Sequence, residues 1–539
     1  MRQKFILFSI LSIIAIPVLA IFVWQSAWWL FIIIGPLILM GLYDMFQKKH
    51  TIMRNFPVIG RGRYVLEEWR PKFYQYFIES DTSGTPISKI FRSIVYQRAK
   101  KVLDTSPFGT QLDVYAEGYE WMNHSIAPTN PDTLDHDPRI KVGGPDCKKP
   151  YMASIFNISA MSFGSLSKNA IMALNGGAKI GHFAHNTGEG GISPYHNKFG
   201  GDLIYQVGTG YFGCRSKDGN FDPQLFAKRT APDNVKMIEL KISQGAKPGH
   251  GGILPAKKAT TEIAAIRNIE PFKDVLSPPY HKAFSTPRGM LKLIQQMRQL
   301  SDGKPVGFKL CIGHKAEFLS ICKAMIETGI KPDFITIDGG EGGTGAAPLE
   351  FTNSVGMPFK EGLAFAYNAL IGFDLKKDIK LFAAGKILTA FHIFRALSLG
   401  ADACYSARGM MMALGCIQAL ECNKNTCPVG VTTQKETLVK GLVVADKKER
   451  IANYHHETVT AFVELLSASG LTHHDQINRS HVYRRIVMNM HQRYDEIYPY
   501  ISYRSLLKDS TIPETWRSDM SLSSVDQFIL HQPLERLHL

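Results

Sequence analysis

Three cysteines crowd into one short stretch, Cys416, Cys422 and Cys427, and a proline follows the last of them. Thiolates are soft ligands, and three this close could hold an iron–sulfur cluster. Zinc would want a fourth ligand, and no candidate stands at zinc spacing. The plainer alternative is three buried structural cysteines. A second stretch, residues 338–348, has glycine at five of eleven positions and follows a short apolar alternation at 333–337. A backbone without Cβ atoms lets its N–H groups approach a flat or anionic ligand.

Other loops share this vocabulary: Ser162-Phe163-Gly164-Ser165, Asn186-Thr187-Gly188-Glu189-Gly190-Gly191, Gln244-Gly245-Ala246-Lys247 and Ala384-Gly385-Lys386. Glycine with a few Ser, Asn, Gln and Lys suits a planar, hydrogen-bonding cofactor with a phosphate tail. Lys309 lies inside the apolar run 307–310. A lysine there either points into the fold or lies at a frayed strand edge. Beside a flavin, an inward cation would stabilise the charge that develops at N1 and O2 of the reduced ring.

These loops need a scaffold that gathers them. Strand-like runs occur at 154–158, 183–186, 237–242, 305–311, 334–337, 379–384 and 403–406. Helical patterns separate them at 165–180, 287–300, 315–329 and 389–399, the first capped by Ser165 or Ser167. About eight βα units in one run predict an α/β fold of the closed (β/α)8 TIM-barrel kind, with the loops on one face. Gly385-Lys386 and Ala407-Arg408-Gly409 then fall where barrels bind phosphate.

The N-terminus reads differently. Residues 5–24 form an uncharged run long enough to span a bilayer, and 28–43 form a second, shorter one. Trp24, Trp28 and Trp29 mark the break; Arg2 and Lys4 precede the pair, and Lys48, Lys49 and Arg54 follow it. Positive charge at both outer ends predicts a two-pass transmembrane hairpin in the cell (inner) membrane, with both ends and the catalytic domain cytoplasmic. A cleaved signal peptide would have a shorter apolar region and no second run. Eight cysteines in a chain of 539 residues are no disulfide framework. The net charge of +15 comes with no nucleic-acid motif, so membrane lipid is the expected anionic partner and nucleic acid is not. The expected organisation is a hairpin at 1–47, a lead-in at 48–150 packing on the barrel, the barrel with its cysteine loop at 151–434, and a helical extension at 435–539.

Taken together, Ala160-Met161-Ser162-Phe163-Gly164-Ser165, the loop from Asn186, Gln244-Gly245-Ala246-Lys247-Pro248-Gly249, residues 338–348 and the stretch around Cys416 to Gly430 resemble the FMN-binding synthase domain of glutamate synthase over roughly 150–480. The resemblance implies FMN, a 3Fe-4S cluster, and conversion of 2-oxoglutarate and ammonia to 2-iminoglutarate, which reduced FMN turns into L-glutamate by hydride transfer. It places Ser162, Asn186, Gln206, Lys309, Gly339, Gly340, Gly343 and Gly385 at the flavin. It gives Glu189 and Lys247 catalytic roles, Lys247, Arg267 and Glu189 the keto acid, and Cys416, Cys422 and Cys427 the cluster. The physics agrees for Lys247 and Arg267, which could pair with two carboxylates, and for Glu189, which could handle ammonia or its proton.

Some residues depart from the family pattern. Tyr211 stands where arginine is usual, and Ile253 where a glutamine often touches the keto acid; His250 is nearby. Neither a glutaminase domain nor a glycine-repeat β-helix is recognisable, so free ammonia or a partner is the expected nitrogen source. No G-x-G-x-x-G follows a predicted strand, which turns expectation from a nicotinamide to ferredoxin, a reductase subunit or a membrane carrier as electron donor. Two other readings fit the same motifs: an amino-acid or amine dehydrogenase passing electrons to a membrane acceptor, and a non-catalytic flavin-binding membrane subunit.

Overall fold

The computed structural model describes residues 1–102, 105 and 107–528. Its contacts divide the chain into two compact units, Met1–Lys89 and the remainder from Ile90. The first holds helices α1 (Arg2–Phe22), α2 (Phe31–Phe46) and α3 (Arg61–Phe73). Arg2–Phe22 and Gln25–Phe46 are long and apolar enough to cross a membrane. α3 runs into a π-helical turn, Tyr74–Ile78.

The second unit is built on a closed barrel of eight parallel strands. These are β1 (Phe156–Ile158), β2 (His185–Asn186), β3 (Leu203–Val207), β4 (Val235–Lys241), β5 (Val306–Leu310), β6 (Phe334–Asp338), β7 (Lys380–Ala384) and β8 (Ala403–Ser406). Each pairs with its neighbours in chain order, and Cys404 beside Phe156 closes the ring. The sequence pattern had located seven of the eight. β3, the one not located, is buried at all five residues, as β5 and β6 are. It also follows Gly200 and Gly201, which signal a loop.

Helices return the chain between strands. α4 (Lys168–Gly181) starts at Ser167, whose hydroxyl accepts the Ala170 N–H at 3.2 Å and donates to the Gly430 carbonyl at 2.6 Å. Of the two serines that could cap this helix, the second does so. The crossover from β4 to β5 carries α5 (Thr261–Arg267) and α6 (Pro287–Leu300). α6 begins at Thr286 with Pro287 in its first turn, where a missing N–H is harmless. α7 (Lys315–Thr328), α8 (Phe359–Gly372) and α9 (Ala390–Ser398) cover the later strands, and α10 (Val444–Ala468) packs against α4.

The N-terminal end of the barrel is tied by Asp333. One of its oxygens accepts the Gly144 N–H at 2.7 Å. The other accepts from Val306 N at 2.8 Å and Arg298 Nη2 at 2.9 Å. Asp333→Ala would take from the buried Arg298 guanidinium its nearest carboxylate, leaving it the Lys331 carbonyl, and would leave two backbone donors unpaired. The expected loss is about 3–5 kcal/mol of unfolding free energy, read as a lower urea midpoint while the fold at 25 °C is retained.

Candidate active site

Side chains alternate along a strand, so Glu239 and Lys241, two residues apart on β4, share a face. That face points into the barrel. Glu239 is fully buried and its carboxylate takes three donors from three other strands. They are Asn186 Nδ2 at 2.8 Å, Gln206 Nε2 at 2.7 Å and Thr336 Oγ1 at 2.6 Å. Lys309 on β5 also feels this charge, and forms its own ion pair with Asp338 Oδ2 at 3.1 Å. Burial works against the Lys309 ammonium, but Asp338 and Glu239 hold its pKa above the ordinary value. Lys309 therefore points inward, as a cation in the barrel.

One level higher, Lys241 Nζ reaches Glu189 Oε2 at 3.0 Å and Gln244 Oε1 at 2.7 Å. Burial opposes ionisation of Glu189, yet Lys241, Lys247 and Arg267 together hold its carboxyl below the usual range. Burial lowers Lys247 to about 8 against the pull of Glu189, and its Nζ donates to the Ala346 carbonyl at 2.8 Å. Arg267, the last residue of α5, donates to the Phe163 carbonyl at 2.9 Å and lies 5.0 Å over the Phe212 ring. Burial lowers it to about 10, and its Nε has no partner among the described residues. Three cations thus surround one carboxylate at the rim of a cleft lined by Glu189, Lys241, Gln244 and His250.

Lys241 was not anticipated as a site residue. The signal was present in Glu239 and Lys241, two charged residues that share one strand face with Val235 and Met237. Tyr211 supports Lys241 from behind. Its hydroxyl accepts the Ala283 N–H at 3.1 Å and lies 3.2 Å from His281 Nδ1, while His281 Nε2 is 2.8 Å from the Lys241 carbonyl. Burial holds His281 neutral, at about 4. Its Nε2 therefore carries the proton donated to the carbonyl, and Nδ1 accepts from Tyr211. Ile253 pairs with Leu276 in a small two-stranded ribbon beside Gly251 and Gly252. A Cβ on Gly252 would lie 2.6 Å from Glu189 Oε1, so that turn admits the carboxylate only as glycine.

The glycine-rich loops meet as expected of one barrel face. A Cβ on Gly245 would lie 1.6 Å from the Gly339 carbonyl oxygen. Gly340 N–H donates to Met357 O at 2.8 Å. Gly343 packs on Arg408, which donates to the Glu341 carbonyl at 2.7 Å. Gly385 has φ +151° and faces Phe359. Ser162 Oγ donates to Ser165 Oγ at 3.2 Å. Lys386 and Arg408, after β7 and β8, are each depressed first by burial, and Lys386 also by Arg408. Lys386 makes no ion pair among the described residues.

The cysteine loop is held at its start and its middle. Tyr96 OH donates to the Cys416 carbonyl at 2.6 Å, and Lys258 Nζ to the Cys422 carbonyl at 2.8 Å. Burial lowers Lys258 to about 8 against the charges of Cys422 and Cys427. Burial likewise pushes the Cys416 thiol up to about 11, with Cys422 and Cys427 adding to the rise. Gln418, Leu420 and Asn425 all have positive φ, a strained run for residues with side chains. Among the described residues, no three His, Cys, Asp or Glu side chains are drawn tightly enough around one point for a single metal ion. The thiols of Cys311, Cys322 and Cys404 are buried in the core.

A family model described as the conserved region in glutamate synthase matches residues 105–472. The chain belongs to the glutamate synthase family. It is 36% identical over 515 residues to the glutamate synthase large subunit-like protein YerD of Bacillus subtilis, covering 88% of this chain and 94% of that one. It is 34% identical over 316 residues to the archaeal glutamate synthase (NADPH) of Methanocaldococcus jannaschii, 58% of each chain. The glutamate synthase (NADPH) large chain of B. subtilis aligns at 31% identity over 60% of this chain but 20% of its own length. The glutamate synthase match covers the barrel and the cysteine loop and begins after the two apolar helices.

Lys241 is the cation first in holding Glu189 ionised, so Lys241→Met leaves burial less opposed and raises the Glu189 pKa. Infrared difference titration checks this, with Glu189→Gln as the blank. The carboxylic-acid band should persist to higher pH in Lys241→Met than in the natural protein.

Proposed function

We propose that this chain is a membrane-anchored, glutamate-synthase-type oxidoreductase that aminates 2-oxoglutarate reductively, by way of 2-iminoglutarate, to L-glutamate with free ammonia. The observation that carries this reading is the grouping of Lys241, Lys247 and Arg267 around Glu189 beside a buried cation, Lys309, in the mouth of a barrel. Lys247 and Arg267 supply the positive charge that a dicarboxylic keto acid requires. Glu189, held ionised, takes the proton that ammonium must lose before its nitrogen can attack the keto carbon. Gly252 leaves space for that carboxylate, and the Tyr211–His281 pair fixes the backbone behind Lys241.

The residues fit FMN. Gly339, Gly340, Gly343 and Gly385 offer backbone without side chains, and Lys386 and Arg408 offer two partly desolvated cations for its phosphate. Ser162, Asn186 and Gln206 would complete the ring's polar surroundings, with Lys309 near its pyrimidine edge. The donor set Cys416, Cys422 and Cys427 fits a 3Fe-4S cluster. Such a cluster gives each thiolate its own iron and needs wider spacing than a single ion does. When bound, FMN supplies hydride to the imine carbon, and the cluster supplies a route for single electrons from ferredoxin or a reductase subunit. Arg2–Phe22 and Gln25–Phe46 would form the hairpin in the lipid, with the barrel on the cytoplasmic side.

Anaerobic spectroscopy tests the reading. Protein reduced with dithionite and freed of excess reductant should be reoxidised by 2-oxoglutarate plus ammonium, with glutamate formed, and by neither alone. Flavin reduction by glutamate without that reverse turnover would favour a dehydrogenase, and a spectrum unmoved by any small substrate would sink the proposal. Because burial sets Lys247 at about 8, its ammonium is lost as pH rises through that value. Affinity for 2-oxoglutarate should therefore fall above about pH 8, and Lys247→Met should remove that limb of the binding profile.

A further inference from the structure

Within the first compact unit, α3 and its π-helical turn contain no buried residue. Their apolar side chains nevertheless form one stripe. Leu66, Trp69, Phe73 and Phe77 succeed one another at three- and four-residue steps, which is one face of a helix. Trp69 and Phe73 ring centroids are 6.1 Å apart, and Phe73 and Phe77 are 5.7 Å apart. Leu66 is 64% exposed, Trp69 49%, Phe73 47% and Phe77 79%. A contiguous exposed aromatic stripe of this kind marks an interaction surface.

Charge and position say what that surface meets. Residues 48–79 carry seven basic and three acidic side chains. Arg63 and Arg70 border the stripe, at three- and four-residue steps from Leu66, and Arg63 pairs with Glu67 at 2.8 Å. The helix therefore carries an exposed apolar stripe bordered by arginines whose stems can reach up to headgroups, an arrangement that suits a bilayer interface. Its first residue is fixed to the end of the second apolar helix. Asp44, fully buried in the last turns of α2, accepts from Arg61 Nε at 3.0 Å, Arg61 Nη2 at 2.7 Å and Val58 N at 3.0 Å. That bidentate pair holds the start of α3 where α2 leaves the apolar span.

We infer that α3 lies in the headgroup region of the same membrane, with Leu66, Trp69, Phe73 and Phe77 in the outer acyl layer and the basic side chains among anionic headgroups. The inference rests on the hairpin and is independent of the reaction proposed for the barrel. Its consequence is a third point of membrane attachment, which restrains the chain leaving the bilayer.

The test uses the full chain in vesicles of phosphatidylethanolamine and phosphatidylglycerol. Tryptophan emission is compared for the natural protein and Trp69→Phe, with lipids brominated high on their acyl chains and with iodide in the water. The emission that Trp69→Phe removes should be the part that brominated lipid quenches and iodide does not. A second variant, Phe73→Glu with Phe77→Glu, should return Trp69 to iodide. Trp69 quenched by iodide in the natural protein overturns the inference. So does Trp69 protected from both quenchers, since protein would then cover the stripe. Release of the chain from membranes by alkaline carbonate overturns the hairpin and this inference together. Retention in carbonate with a water-exposed Trp69 overturns this inference alone.

Discussion

Inside the barrel, the carboxylate of Glu239 has no access to water, and its charge must be balanced where it stands. Moving such a group out of water costs several kcal/mol, which is recovered only when donors and a counter-charge are fixed around it. Here the donors come from β2, β3 and β6, and the Lys309 ammonium stands on β5. One side chain therefore constrains five strands at once. If the ring slipped by one residue, every inward side chain would turn outward and the charge would be left uncompensated. Strand register and the position of the Lys309 cation are two results of the same requirement.

The site above it repeats the arrangement with the signs exchanged. Below, one cation is held by two carboxylates, Asp338 and Glu239. Above, one carboxylate, Glu189, is held by Lys241, Lys247 and Arg267. Lys241 and Lys309 are register partners on β4 and β5. Two lysines side by side in a dry interior would repel each other strongly, so each has its own acid, Glu189 for one and Asp338 for the other. The rim consequently carries surplus positive charge suited to anions. Glycines make this compact layering possible, because loops after different strands approach to distances that a Cβ would block at Gly245 and Gly252.

The cysteine loop solves a different problem. It leaves the last barrel strand, bends through three left-handed residues that are not glycine, and is held by hydrogen bonds to its own carbonyls. Ser167 and Gln434 tie the chain just beyond the cysteines to the first barrel loop. Backbone strain of that kind persists only where surrounding structure over-determines it.

What the amino-acid order determined by itself was the repeat. Apolar runs separated by amphipathic helices dictate parallel βα units, and the glycine-rich loops, the three cysteines and the inward lysine were visible as residue types at fixed spacings. These are local properties, carried by period and composition. β3 escaped because Gly200 and Gly201, just ahead of it, read as a loop. The partners of each charge were not legible: which acid holds Lys309, which cations hold Glu189, and that Tyr211 supports Lys241 through His281. Those pairings join residues tens of positions apart. Only closure of the ring brings them together, because a buried charge is settled by what lies across the barrel and not by what lies beside it in the chain.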